Sequence, residues 1–284
     1  MEIVQVNQAE MLQAINRSEV DMQISTAKAY PRDVKAALKR IEELAINDQE
    51  TAESCFYVLR RDNQKPIDGL SVRMAEIIAG SWGNLRVQAR IIGNDGKTIT
   101  AQAVCHDLET NFAVSVEVKR RITYKDGKTY SEDMQVVTGN AACAIAFRNA
   151  ILKVVPRAVT KKAINNIKQV ALGKAIDLET SRQNCIANFA KSGVTTEMLC
   201  QYLEVKSVEE IGKEQLFELR GTWNAIKEGT TSVQEIFVQP QEEKRIAEKA
   251  KSKAQGAKER AQQAIARQKQ NNATGNDLEL NNEQ

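Results

Sequence analysis

Histidine is almost missing from this chain: there is one, His106, among 284 residues. A Ser-His-Asp triad, a histidine-built zinc site or a histidine general base would each have to rest on that single ring. No GxxxxGK[ST] phosphate loop occurs, and no GxGxxG follows a strand-like run, so the motor, kinase and dinucleotide-binding classes lack their motifs. The five cysteines (Cys55, Cys105, Cys143, Cys185 and Cys200) form no CxxC pair. Scattered and odd in number, they read as reduced core thiols and point to a cytoplasmic protein. No apolar run approaches the roughly 18 residues that span a bilayer. The opening MEIVQVNQAEM has neither the basic nor the apolar region of a signal peptide, so none is expected. Nothing in the composition calls for a cofactor or a metal.

Acidic residues are missing from one long stretch. The net charge of +3 is too small to diagnose a partner, but its distribution is uneven. From Met134 to Ile176 there is no Asp or Glu, while Arg148, Lys153, Arg157, Lys161, Lys162, Lys168 and Lys174 lie inside it. Just upstream come Lys119, Arg120, Arg121, Lys125 and Lys128. A solvated face normally mixes signs, because like charges on neighbouring turns repel. A one-sign stretch of this length suits a polyanion.

Hydrophobic spacing predicts an α+β fold: a helix, a three-stranded antiparallel meander with a helix packed across it, a small C-terminal helical module and a solvated tail. Residues 1–29 read as a polar arm. Pro31 is expected to open a helix carrying Val34, Leu38, Ile41 and Ala45 on one face. A short strand is expected at Phe56–Leu59 and a helix at Ser71–Gly80. In the meander, Leu85, Val87, Ala89 and Ile91 alternate with Arg86, Gln88 and Arg90. Asn94-Asp95-Gly96-Lys97 then makes a turn, and Phe112 to Ile122 alternates through Val114, Val116 and Val118. Gly139–Val155 reads as a helix whose Ala141, Ala142, Ala144 and Ala146 permit close approach to the sheet. The core is drawn at 30–176, a helical connector at 177–194 and the module at 195–238. Capping boxes are read at Ser207 and Ser232, and 239–284 is expected to be a charged tail.

Arg and Lys neutralise phosphates without reading sequence. The candidate DNA-binding residues are therefore Arg86 and Arg90 on one strand face, Lys119, Arg120 and Arg121, then Lys125 and Lys128 of the hairpin. Arg148, Lys153, Arg157, Lys161 and Lys162 of the basic helix and its extension complete the set. Tyr124 sits where a hairpin tip can stack on bases, and with Tyr130 it reads equally well as an ordinary strand aromatic.

Three segments carry a resemblance. Gly69-Leu-Ser-Val-Arg-Met-Ala-Glu-Ile-Ile-Ala-Gly-Ser-Trp-Gly-Asn-Leu-Arg86, the meander, and Thr138-Gly-Asn-Ala-Ala-Cys-Ala-Ile-Ala-Phe-Arg-Asn-Ala-Ile-Leu-Lys153 are similar to the bacteriophage single-strand annealing proteins, the RecT, Redβ and Erf group of recombinases. The stretch Leu219-Arg-Gly-Thr-Trp-Asn-Ala-Ile-Lys-Glu-Gly229 resembles a module of phage recombination proteins. The likeness spans roughly 30–237 and lies in element order more than in an invariant motif. It implies ATP-independent pairing of complementary strands by a homo-oligomer, with single-stranded DNA as ligand and no catalytic residue. A partner exonuclease or host single-strand-binding protein would dock on 195–238 or on the tail.

Two other classes remain open at this level. Asp107 and Glu117-Val-Lys119, with Glu76 on a preceding helix, imitate the PD-(D/E)xK nucleases, in which carboxylates hold magnesium and a lysine positions water. No proline precedes Asp107, however, and Arg120-Arg121 continue the basic run. A non-enzymatic structural or adaptor protein of a phage particle would leave the acid-free stretch unexplained.

Overall fold

The computed structural model describes residues 8–60, 66–124, 126–173 and 178–238. The chain is α+β. Its first element is unexpected: α1 (Gln8–Ala29) is a 22-residue helix where sequence patterning suggested a polar arm. The segment has no Gly or Pro, and Ala, Gln, Met and Glu supply half of it, which suits a helix even without a strong apolar stripe. Next, α2 (Val34–Ala45) buries Ala37, Ile41 and Ala45. Pro31 lies ahead of this helix, not in its first turn. Asp33 starts it, its carboxylate accepting from the N–H groups of Lys35 and Ala36 at 2.8 and 3.1 Å.

A short helix, α3 (Gln49–Ser54), leads into β1 (Phe56–Leu59), which pairs antiparallel with β2 (Ile67–Leu70). β2 is not expected from its residues. It is held by pairing with β1 and by Gly69, where a Cβ would lie 2.5 Å from the Tyr57 ring. Ser71 then caps α4 (Val72–Trp82) through the Met74 N–H. Gly83 and Asn84, at φ 72° and 52°, turn the chain directly from α4 into the main sheet.

That sheet has the order β3 (Leu85–Asn94), β4 (Thr98–Asp107), β5 (Phe112–Arg121), all antiparallel. In the β3–β4 turn, Asp95 accepts from the N–H groups of Lys97 and Thr98, and Gly96 takes φ 79°. α5 (Glu132–Val154) crosses the sheet and starts earlier than the expected Gly139. Its Ala142, Ala146, Ala150 and Ile151 share a core with Ile99, Ala101, Ala103 and Cys105 of β4. Small side chains on both partners bring backbone close to backbone. Pro156, lacking an N–H, ends α5 and caps α6 (Arg157–Leu172), so the two helices do not form one kinked rod.

The remaining elements are α7 (Leu178–Ala190), α8 (Thr196–Leu203), a 3-10 turn at Val208–Glu210 and α9 (Lys213–Lys227). Ser207 makes no side-chain cap bond, so the box read there is absent. α9 lies directly on β1: a Cβ on Gly221 would fall 2.4 Å from Val58, and the Phe56 and Phe217 rings are 5.5 Å apart. Asn224 donates to the carbonyls of Glu53 and Phe56. Residues 195–233 therefore belong to the same compact unit as the sheet. A second unit begins at Gln234, where Gln234–Val238 forms a π-helical turn. The tail at 239–284 lies outside the described residues.

One ion pair ties three elements at the end of the sheet. Arg32, just before α2, grips Asp107 with bonds of 2.6 and 2.8 Å and places Nε 3.1 Å from Glu109. Its guanidinium lies 4.9 Å from the Trp82 ring centre at the end of α4. Arg32 and Asp107 side chains are 8% and 6% exposed, so each would be an uncompensated charge alone. Arg32→Met should cost about 3–5 kcal/mol, the penalty for breaking a buried pair by removing one partner. Burial disfavours the Asp107 carboxylate, but bonds from Arg32 and from the Thr110 and Glu109 N–H groups outweigh it and hold its pKa below 3.8. A depressed carboxylate stabilises the fold above its unfolded value and loses that contribution as pH falls through the folded value. Urea unfolding below pH 4 should show this loss in wild type, and Asp107→Asn should show less of it, the remainder coming from carboxylates such as Asp95, which bonds from the Thr98 and Lys97 N–H groups push down to about 2.

Candidate nucleic-acid interface

Strand alternation divides the sheet into two unlike faces. On β4, Ile99, Ala101, Ala103 and Cys105 are buried under α5, so Thr98, Thr100, Gln102, Val104 and His106 face the other way. Cross-strand register places Arg86 opposite His106 and Arg90 opposite Gln102. On the far side Lys119 lies opposite Thr100 and Arg121 opposite Thr98. The outcome is an uncharged polar floor on the middle strand between two cation-bearing outer strands, about 10 Å apart at ordinary strand spacing. Glu117, opposite Gln102, is the one carboxylate at these strand positions. Arg90 donates to Gln102 at 3.3 Å and Arg86 to Gln23 of α1 at 2.9 Å, both neutral partners, and neither pairs with a carboxylate among the described residues.

A second group of cations sits at the α5–α6 corner. Lys153, Arg157, Lys161 and Lys162 are all exposed, and none pairs with a described carboxylate. α6 packs on α2, α3 and α9 and not on the three-stranded sheet, so this corner lies apart from the open face. Lys168, further along α6, is engaged internally: its ammonium bonds Asp68 at 2.6 Å and lies 5.3 Å from the Phe217 ring.

Two arginines of the expected site are used by the fold itself. Arg120 reaches beneath the sheet and donates to the carbonyls of Gly229 and Thr230 at 2.6 and 2.9 Å. Arg148, 6% exposed, lies 4.6 Å from the Tyr57 ring centre and 3.8 Å from Glu228. Burial pushes the Glu228 carboxyl up, against the Val72 N–H and Arg148 that favour its charged form. With their donors turned inward, Arg120 and Arg148 cannot meet an external phosphate, and the interface is drawn without them.

In the hairpin after β5, Tyr124 and Lys128 are joined by a 2.8 Å backbone bond across Gly127, which takes φ 86°. Tyr124 is 49% exposed with its ring edge-on to Tyr130 at 4.6 Å, and Lys128 is exposed. Lys125 lies outside the described residues. Sequence reasoning passed over Thr98, Thr100 and Gln102, which form the floor between the cations. Their signal was the parity of β4, opposite to that of Ala101 and Ala103.

The residues of the nuclease-like pattern are not brought together. Asp107 belongs to the α5-facing side and is held by Arg32, whereas Glu117 is on the open face. Asp107 pairs with Phe112, so Glu117 is displaced five positions, about 17 Å along the strand. Glu76 bonds Arg73 at 2.9 Å. Among the described residues no cluster of three His, Cys, Asp or Glu is placed to hold a metal ion, and no helix is long and apolar enough to cross a membrane.

Comparison of the chain with protein-family models, curated proteins and solved structures returned no match.

The division of arginines is testable by stability alone. Arg148→Ala strands Glu228 in a buried site and should cost about 3–5 kcal/mol in denaturant unfolding. Arg90→Ala and Arg121→Ala, at solvated strand positions, should stay within about 0.5 kcal/mol of wild type.

Proposed function

We propose that this chain binds single-stranded nucleic acid through its backbone on the open face of the three-stranded sheet, and anneals complementary strands without nucleotide hydrolysis. The observation that carries the reading is the pattern of that face: Arg86, Arg90, Lys119 and Arg121 on the outer strands, with Thr98, Thr100 and Gln102 between them. Cations on the rims suit phosphates, and the contacts are indifferent to base identity. The floor positions of β4 carry no Phe, Tyr or Trp. Bases are then not stacked into the protein, and their pairing edges stay available to a second strand. Binding proteins that sequester single strands do the reverse, stacking bases on aromatic platforms. The acid-free α5–α6 corner supplies a further positive field that raises the encounter rate. The resemblance to phage annealing proteins points the same way, and on this reading the ligand is DNA.

The test is titration of a labelled mixed-sequence single strand at 50 and 200 mM salt, followed by addition of the complement without ATP. Affinity should fall steeply with salt, at a logarithmic slope of about −0.7 for each phosphate neutralised. Replacing Arg86, Arg90, Lys119 and Arg121 together by alanine should lower affinity by orders of magnitude and flatten the slope by about 3. Replacing Lys153, Arg157, Lys161 and Lys162 should chiefly slow association. A flat salt response in wild type, or near-normal binding by the folded sheet variant, would refute the assignment. Cleavage of the strand in magnesium, abolished by Glu117→Ala, would place the protein in the nuclease class instead.

A further inference from the structure

The four rim cations of the open face do not stand opposite one another. Register fixes their levels along β4: Arg86 lies level with His106, Arg90 with Gln102, Lys119 with Thr100 and Arg121 with Thr98. The β3 pair therefore occupies one half of the face and the β5 pair the other half. Across from Arg86 the β5 position is Ala113, and across from Arg90 it is Glu117. Across from Lys119 the β3 position is Gly93, which has no side chain to offer. A bulge between Ile91 and Gly93 brings the glycine to this face, where a Cβ on it would lie 3.9 Å from that of Thr100.

Each of the two corners without a cation holds an acid. Glu117 is exposed at one of them. At the other, Asp95 lies in the β3–β4 turn just beyond Gly93, and its carboxylate accepts from the Thr98 hydroxyl of the open face at 2.8 Å. Bonds from the Thr98 and Lys97 N–H groups push the Asp95 pKa down to about 2, and Lys119 is near enough to favour the charged form as well. Cations thus hold one diagonal of the face and carboxylates the other.

A polyanion laid along one outer strand would meet two cations and a carboxylate. On β3 these are Arg86, Arg90 and then Asp95, and on β5 Glu117, Lys119 and Arg121. A path that starts on β3 and crosses β4 between Gln102 and Thr100 meets all four cations and neither carboxylate. The crossing is short. Arg90 and Lys119 are about 10 Å apart across the strands and about 7 Å apart along them, or about 12 Å in all. The Debye length of about 10 Å at 0.1 M salt is comparable, so each carboxylate acts on a phosphate anywhere in its own corner. We propose that a bound single strand runs obliquely over the sheet, from Arg86 and Arg90 on β3 to Lys119 and Arg121 on β5, and that Glu117 and Asp95 keep it off the other two corners. This rests on the assignment of the open face to single-stranded nucleic acid, and adds to it a route and two acidic positioning residues.

Binding of a labelled mixed-sequence single strand to the full chain, titrated between 50 and 200 mM salt, tests the route. Each phosphate contact is worth about 0.7 of logarithmic slope, about a 2.6-fold change in affinity over that range. Arg90→Ala and Lys119→Ala should each flatten the slope by about 0.7, because one strand uses both rims. Gln88 and Ala113 are both exposed, Gln88 on the route between Arg86 and Arg90 and Ala113 off it. Gln88→Lys should therefore steepen the slope by about 0.7, while Ala113→Lys, with the same added charge, should leave it unchanged. Glu117→Gln should tighten binding, since it removes a repulsion and no contact. Far-UV circular dichroism checks folding, and Gln88→Arg and Ala113→Arg repeat the comparison if either lysine variant misfolds. A slope as steep in Ala113→Lys as in Gln88→Lys would overturn the route. So would an unchanged slope in Arg90→Ala or in Lys119→Ala, which means a strand lying along one rim. Weaker binding by Glu117→Gln would mean that the strand touches this carboxylate, and would overturn its role. Wild type that binds no single strand, or normal binding when all four rim cations are alanine, would remove the nucleic-acid reading and the route together.

Discussion

The contact on which the molecule depends is the close approach of α5 to β4. Ala142, Ala146 and Ala150 on the helix meet Ala101, Ala103 and Cys105 on the strand, all fully buried. A Leu or Phe at any of these positions would force helix and sheet apart by the width of a side chain, and a packed core does not absorb that change. The consequence reaches beyond packing. Once one face of a meander is sealed this tightly, strand geometry sends every second side chain to the other face. No strand of the described residues covers that face, and α1 touches its margin through Gln23. The cations of β3 and β5 are thus exposed by the same constraint that builds the core.

The distribution of arginine follows from parity. On β5, Val114, Val116 and Val118 alternate inward, and Arg120 is next in that series, while Lys119 and Arg121 belong to the outward one. On α5, Arg148 falls four residues after Ala144 and three before Ile151, on the buried side. Each inward arginine is accommodated by acceptors at the end of α9: carbonyls for Arg120, the Glu228 carboxylate for Arg148. The Arg120 hydrogen bonds and the Arg148–Glu228 ion pair fasten the last helix of the unit to its sheet. A count of basic residues cannot separate the two uses, but the alternation that predicted the strands already contained the distinction.

The elements that were legible share a property: they satisfy their own local rules. β3, β4 and β5 alternate, the Asn94–Lys97 turn has its Asp and Gly, and α4 has its Ser cap. What was missed is supplied by tertiary contact. β2 contains Asp68 and Gly69, poor strand residues, and exists because β1 pairs with it and Tyr57 lies over the glycine. The first turns of α5 escaped notice because Val136 and Val137 are exposed and break the stripe. α1 escaped because its apolar residues lie on two opposed faces, so no single amphipathic pattern emerges. The cations at the sheet rims were visible as residues, but the neutral floor between them becomes a feature only after the register brings Thr100 and Gln102 between Lys119 and Arg90.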